Sequence, residues 1–250
     1  MENTEKNNIR FGLIGKNISY SFSKGYFTEK FQKMGLEDHS YENFDFQEID
    51  EFKEVIAANK NIKGFNVTIP YKEEIIPFLS ELDEKASTIG AVNTIKVVEN
   101  RLVGYNTDAF GFQKSIEPFL KKHHKKALIL GTGGASKAIA FVFDELGIDY
   151  TFVSRSPEKH QFSYDNLNEA ILKEYTVLVN CSPLGTFPKV SEKPSIPYKY
   201  IRSTHLLFDL IYNPEKTAFL LAGEEKGATI CNGFRMLQLQ AEKAWEIWNS

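Results

Sequence analysis

The stretch ALILGTGGASKAIAFVFDELG, residues 127–147, decides how this chain is read. Four apolar residues, 127–130, form a strand that runs into Gly131, Thr132, Gly133, Gly134, Ala135 and Ser136. A helix follows, with Ile139, Val142, Phe143 and Leu146 on one face and Gly147 at its end. Glycines let a strand-to-helix turn tighten and let its backbone approach a pyrophosphate. The helix N-terminus adds unpaired N–H groups and positive potential. A bare G-x-G-x-x-G says little, but the required strand before it and helix after it are both present. Ser136 stands where a third glycine is usual. The stretch predicts a dinucleotide-binding βα unit rather than a tight turn with no ligand.

The next strand, residues 150–153, addresses which nicotinamide cofactor binds. In NAD binders an acid about 20 positions on bonds the ribose 2′-hydroxyl. Here the strand ends in Ser154, Arg155, Ser156, Pro157, Glu158 and Lys159, and the nearest acid, Asp149, precedes it. A guanidinium suits a 2′-phosphate by charge and by its bidentate fork. NADP(H) is therefore expected over NAD, against the competing reading of Arg155 as a solvated loop residue.

Working outward, strand and helix alternate along the chain. Residues 10–14, 40–44 and 64–69 read as strands, and 24–34 and 47–58 as helices, with a third helix starting at Pro70. Residues 92–98 and 102–105 flank a short turn and read as an antiparallel hairpin. Beyond the glycine turn, further strands fall at 176–180, 206–210 and 228–231. The last helix, 234–248, puts Leu237, Ala241, Ala244, Trp245 and Trp248 on one face. Alternating βα units imply parallel sheets covered on both faces, and the restart of the pattern at 127 implies two α/β lobes.

Composition narrows the function classes. At 250 residues, 42% hydrophobic and 25% charged, the chain is an ordinary soluble globular protein of one large or two modest domains. A net charge of −3 gives no electrostatic reason to expect nucleic acid or an anionic membrane as partner. No apolar run approaches the ~18 residues of a span, and the opening MENTEKNNIR lacks the apolar middle of a signal peptide. Cys181 and Cys231 have no disulfide or zinc spacing, so free, buried thiols in a reducing cytoplasm are expected. His39, His123, His124, His160 and His205 show no ligand spacing, and no metal is expected. The basic run KKHHKK, 121–126, reads as a solvated helix end rather than an anion site.

A cofactor lobe alone does no chemistry, so the first 110 or so residues must supply a substrate site. Their polar residues gather at strand-to-helix junctions, where open α/β sheets place ligands. Ser21 and Ser23 precede the first helix, where they would equally serve as an N-cap cluster. Asn66 and Thr68 share one face of a strand otherwise built for burial, Asn93 is a second amide on a strand, and Asn106, Thr107 and Asp108 follow the hairpin. In GFNVTIPYKEE, 64–74, Lys72 falls in what reads as a first helical turn, where the macrodipole favours Glu73 and Glu74 over a cation.

These pieces, taken together, form a known pattern. SFS at 21–23, NVTIPYKE at 66–73, GAVNTI at 90–95, GYNTDAFGF at 104–112, GTGGAS at 131–136, SRS at 154–156 and NGFRMLQLQA at 232–241 stand in one order along nearly the whole chain. In this the chain resembles the shikimate dehydrogenases. The resemblance implies NADPH-dependent reversible reduction of 3-dehydroshikimate to shikimate, in aromatic amino-acid biosynthesis. It implies an α/β fold of two lobes with a cleft between them. One is a substrate domain with a mixed sheet, residues 1–107 plus 232–250, and the other a Rossmann-like doubly wound NADP domain, residues 108–231. By motif, Ser21 and Ser23 would hold the substrate carboxylate. Thr68, Asn93 and Gln240 would bind ring hydroxyls with Tyr212 nearby, and Lys72 and Asp108 would be the catalytic pair. Gly131, Thr132, Gly133, Gly134, Ala135 and Ser136 would hold the pyrophosphate, and Ser154, Arg155, Ser156 and Lys159 the 2′-phosphate side. Ser182, Leu210, Gly233 and Glu84 match positions near the cofactor.

The chemistry is consistent with that assignment. A ketone that receives a hydride needs a proton, and an ammonium can donate it while stabilising the developing charge. A neighbouring carboxylate would keep the lysine charged, and neutral hydroxyls and amides suit a polyol acid. The chain departs from the family pattern at Lys24, where proline is usual, and at Arg235, where glycine is common. Gln238 competes with Gln240, which register favours. The rivals are a quinate or mixed quinate/shikimate dehydrogenase, a folate-pathway dehydrogenase and a non-catalytic NADP-binding sensor. A monomer or homodimer is expected.

Overall fold

The computed structural model describes residues 8–19, 21–59 and 61–250. The chain divides into two compact units, Met1–Thr107 with Ala241–Ser250, and Asp108–Gln240.

The first unit contains β1 (Ile9–Gly15), α1 (Phe22–Met34), β2 (His39–Asp45), α2 (Glu51–Ala58), β3 (Ile62–Val67), β4 (Glu81–Leu82), α3 (Glu84–Ile89), β5 (Thr94–Val98) and β6 (Arg101–Tyr105). Its sheet runs β2-β1-β3-β5-β6-β4. β1 lies parallel to β2 and β3, while β5 is antiparallel to β3 and β6, so the sheet is mixed. Glu99 and Asn100 close the expected hairpin with φ of 47° and 65°, as a two-residue loop matched to strand twist requires. Ser21 Oγ caps α1 by accepting from Ser23 N, and Gly35 ends it in the left-handed region at φ 68°. One core packs Phe11, Phe27, Phe31 and Tyr41 around Ala241, Ala244 and Trp248, with Trp245 partly buried against it, so four of the five residues of the predicted apolar face of the last helix pack here and Leu237 does not. A second core gathers around Phe52, Phe65 and Ile95.

No α-helix starts at Pro70. Residues 69–75 form turns, followed by a single 3-10 turn at Ile76–Phe78. The Ile69–Pro70 peptide is cis. A single α-type bond forms, Ile75 N to Tyr71 O at 3.0 Å, and it does not propagate: Val92 N donates to Lys72 O at 2.7 Å, and Ile76 N bonds Glu73 O at 3.2 Å instead of closing an α turn on Lys72. Tyr71, 2% exposed, anchors the turn through its hydroxyl to Phe46 O. Lys72 therefore opposes no helix dipole.

The second unit contains α4 (Asp108–Ile116), β7 (Lys126–Leu130), α5 (Gly134–Leu146), β8 (Asp149–Ser154), β9 (Phe162–Ser163), α6 (Glu169–Glu174), β10 (Val177–Asn180), β11 (Leu206–Asp209), α7 (Ala218–Glu224), β12 (Thr229–Cys231) and the start of α8 (Phe234–Asn249). Its strands run β12-β11-β10-β7-β8-β9, all parallel. Counted from β7 this is the order 3-2-1-4-5-6 of dinucleotide-binding sheets. The central strands are buried on both faces, as their unbroken apolar runs predict.

Two expectations need revising here. Cys181 and Cys231 are free but half-buried rather than buried. The KKHHKK segment is not wholly solvated. His124, 4% exposed, accepts from Lys121 N at Nδ1 and bonds Thr204 O through Nε2, and burial lowers its pKa. No group of side chains fit to hold a metal ion exists among the described residues, and among them no helix is long and apolar enough to cross a membrane.

Candidate active site

In the first unit the predicted substrate residues converge on the carboxyl ends of β1 and β3. Thr68 N bonds Ile14 O at 2.8 Å, and Thr68 O accepts from Tyr71 N. Gly15 makes room: a Cβ there would lie 2.5 Å from Thr68 Cγ2. Lys72 is half-buried, and its carbonyl bond to Val92 N sets it beside the chain entering β5. There Asn93, 2% exposed, is locked by Thr107: its Oδ1 accepts from Thr107 N at 2.7 Å and its Nδ2 donates to Thr107 Oγ1 at 3.0 Å.

Behind these residues lies a buried polar layer that only partly showed in the sequence. Tyr41 hydroxyl donates to Asn66 Oδ1 at 2.8 Å, and Asn66 Nδ2 reaches Asn93 O and Thr94 Oγ1. Ser23, 9% exposed, also bonds the Tyr41 hydroxyl. The layer therefore links Ser23 on α1 to Asn66 on β3 and on to Asn93. The signal available for it was the Asn66 amide inside a strand built for burial, since a buried amide needs partners. Glu84, by contrast, is the exposed first residue of α3.

The second unit gathers its predicted residues at the carboxyl ends of the parallel strands. The glycine turn leaves β7, Ser154 ends β8, and Ser182, Leu210 and Gly233 follow β10, β11 and β12. Gly131 has φ 112°, open to glycine but strained for other residues. A Cβ there would sit 3.4 Å from the Cys181–Ser182 backbone, so the chains leaving β7 and β10 run in contact where the strand order reverses. Gly133 is the N-cap of α5 and no side chain caps the helix there; a Cβ on it would meet nothing within 4 Å. Open N–H groups behind an open glycine are what a pyrophosphate requires. Ser136 explains its departure from glycine: it is 1% exposed, and its Oγ turns inward to donate to Gly133 O at 2.6 Å.

Ser154 Oγ accepts from Ser156 N at 3.2 Å, holding the turn from which Arg155, Ser156 and Lys159 project as exposed residues. Asp149 pairs in register with Lys126 at the far end of β8 and cannot reach a ribose at the near end. The donor set therefore fits NADP. Gly233 is buried because a Cβ would fall 2.0 Å from Leu210 O, which brings those two predicted neighbours together. Gly111, on the helix that Asp108 opens, would carry a Cβ 2.7 Å from Met236 O and 3.2 Å from Gln240 Cβ. Gln240 thus stands at a close approach of α4 and α8, and its Nε2 donates to Leu237 O at 3.0 Å. Asp108, 6% exposed, Tyr212 and Gln240 belong to this unit; Ser21, Ser23, Thr68, Lys72 and Asn93 belong to the first.

Comparison with known proteins decides the family. The chain is 40% identical over 248 residues to the shikimate dehydrogenase (NADP(+)) of Clostridium botulinum, covering 95% of this chain and 95% of that protein. The chain belongs to the shikimate dehydrogenase family. The family model described as the shikimate dehydrogenase substrate binding domain matches residues 13–95, where the polar layer and Lys72 lie. The crystal structure of the Aquifex aeolicus shikimate dehydrogenase superposes with a TM-score of 0.87 at 32% identity, covering 100% of this chain and 94% of that one. The Thermus thermophilus shikimate dehydrogenase, solved with NADP(H) and shikimate, gives 0.83 at 30% identity, covering 96% and 93%. The mixed sheet and the parallel sheet found here are those expected of a shikimate dehydrogenase.

Proposed function

We propose that this chain catalyses the NADPH-dependent, reversible reduction of 3-dehydroshikimate to shikimate in the shikimate pathway. What supports this reading is the buried polar layer that ties Ser23 through Tyr41 and Asn66 to Asn93, with Thr68 just after β3 and Lys72 in the turn that follows. Such a set binds hydroxyls and a carboxylate and keeps a single cation for chemistry. NADPH, when bound, supplies the hydride. Ser21 and Ser23 bind the carboxylate, and Thr68, Asn93 and Gln240 orient the ring. Lys72 delivers the proton to the oxygen that gains charge, and its own charge stabilises that oxygen before transfer. Asp108 takes the carboxylate role. The glycine turn and α5 hold the pyrophosphate, and Arg155 with Ser154, Ser156 and Lys159 holds the 2′-phosphate. A reducing cytoplasm suits the free thiols.

A turnover assay with shikimate or quinate, each with NADP or NAD, tests the reaction. Shikimate with NADP is expected to be fastest. Faster turnover of quinate with NAD overturns the assignment, and tight NADP binding without any turnover points to a sensor instead. The cofactor reading is tested separately by Arg155→Ala, which should raise KM for NADP about tenfold or more by removing a charge-assisted bond, with KM for NAD little changed. Equal effects on both cofactors would remove the 2′-phosphate role.

A further inference from the structure

We propose that Asp209 is a positioning residue that holds the two loops leaving β10 and β11, and through them Ser182 and Tyr212, in the arrangement that substrate and cofactor require. Asp209 ends β11 and pairs in register with Asn180, which ends β10; both are 0% exposed. Its carboxylate meets only neutral donors among the described residues. Oδ1 accepts from Asn180 Nδ2 at 3.1 Å and from Ile211 N at 3.0 Å, and Oδ2 accepts from Thr217 Oγ1 at 2.6 Å.

Each bond reaches a different piece of the site. Ile211 N is the backbone group just before Tyr212. Thr217 caps α7 by accepting from Leu220 N at 3.3 Å, so the same hydroxyl fixes where the loop from β11 ends. Asn180 Oδ1 turns to the other loop and accepts from Ser182 N at 3.0 Å and Ser182 Oγ at 2.7 Å. One carboxylate thus closes a continuous chain of hydrogen bonds across both loops, at the strand ends where open α/β sheets bind ligands.

Stability does not account for an acid at this position. A buried carboxylate without a cation pays a desolvation cost that an amide of the same shape avoids. Burial accordingly pushes its pKa up to about 6, against the pull of Thr217, Ile211 and Asn180. A charged acceptor makes stronger bonds than a neutral one, so this cost is offset in loop order.

The proposal rests on the assignment of Ser182 and Tyr212 to the site, and its test separates the two. Amide exchange in the ligand-free protein should speed up at Ile211 and Ser182 in Asp209→Ala, about tenfold or more, and return part of the way in Asp209→Asn, whose neutral oxygen accepts more weakly. That amide keeps the Oδ1 bonds and can donate to Thr217 Oγ1. KM for shikimate and for NADP should rise about tenfold in Asp209→Ala with a smaller change in kcat, while Asp209→Asn recovers part of the loss. Wild-type exchange at Ile211 and Ser182 in Asp209→Ala overturns the positioning role whatever the enzyme does. Faster exchange with both KM values unchanged overturns instead the placement of Ser182 and Tyr212. If Asp209→Ala does not fold, Thr217→Val carries the same test: it removes one anchor, and unchanged exchange at Ile211 overturns the proposal.

Discussion

Lys72→Ala lowers kcat by about 10²–10⁴-fold, the usual worth of a positioned acid–base group, and weakens shikimate binding much less. The Lys72 carbonyl is held by Val92 N, Tyr71 is anchored beneath it, and neither contact uses the Lys72 side chain. Removing the side chain therefore leaves the course of the turn intact, and the loss falls on chemistry rather than on folding. In the proposed site binding is spread over Ser21, Ser23, Thr68, Asn93 and Gln240, so no single cation would dominate it. Lys72→Arg sharpens the test. A guanidinium keeps the charge but does not give up its proton at working pH. If Lys72 acts as the proton donor, the arginine variant stays close to alanine in kcat; if it acts by charge alone, arginine recovers most of the rate. Steady-state kcat with calorimetric shikimate affinity reads both, and a kcat within twofold of wild type for Lys72→Ala ends the catalytic assignment.

How much of this was legible depended on whether the deciding contact was local. The glycine turn was legible because its strand, turn and helix follow one another within a single stretch, and the parallel sheet followed from the same alternation. Pro70 was misread for the converse reason. Glu73 and Glu74 after a proline are good first-turn residues, but the contact that settles the segment is Val92 N on Lys72 O, made by a distant part of the chain. Ser136 looked like a blemish in the fingerprint and is instead a buried hydroxyl that tightens the turn. β4 and β9 are two residues each, too short for any periodicity to register. Asp209 carried a local signal in LLFDL, an acid inside a strand built for burial, but its partners Asn180 and Thr217 lie on other segments. The polar layer of Tyr41, Asn66 and Thr94 was hidden in the same way: Asn66 gave a local signal, but its partners lie on other segments, and Tyr41 and Thr94 alone are ordinary strand residues.

Trp248→Ala should cost about 3–5 kcal/mol of stability, the range for truncating a buried aromatic, out of the ~5–15 kcal/mol that holds a domain together. The indole is 7% exposed and lies on Phe11, with centroids 4.7 Å apart and planes at 29°, and on Phe27 at 5.2 Å. Its Nε1 donates to Ile95 O at 3.0 Å, so truncation both opens a cavity and removes a donor from that carbonyl. Trp248→Phe keeps much of the packing and loses only the donor, and should cost about 1–3 kcal/mol. The indole fits because residue 64 is glycine: a Cβ there would lie 2.2 Å from Nε1. Gly64→Ala should therefore displace the ring and destabilise the protein on its own, yet cost little once Trp248 is already alanine. Urea midpoints for the two single variants and the double variant read this directly. Strong coupling, with the double variant losing clearly less than the sum of the singles, is the expected result. Additive losses, or a loss below about 1 kcal/mol for Trp248→Ala, would mean that the indole does not fasten the end of α8 onto β3 and β5. The consequence would reach the proposed site, since β3 carries Asn66 and leads into Thr68 and Lys72, and β5 begins at Thr94 beside Asn93.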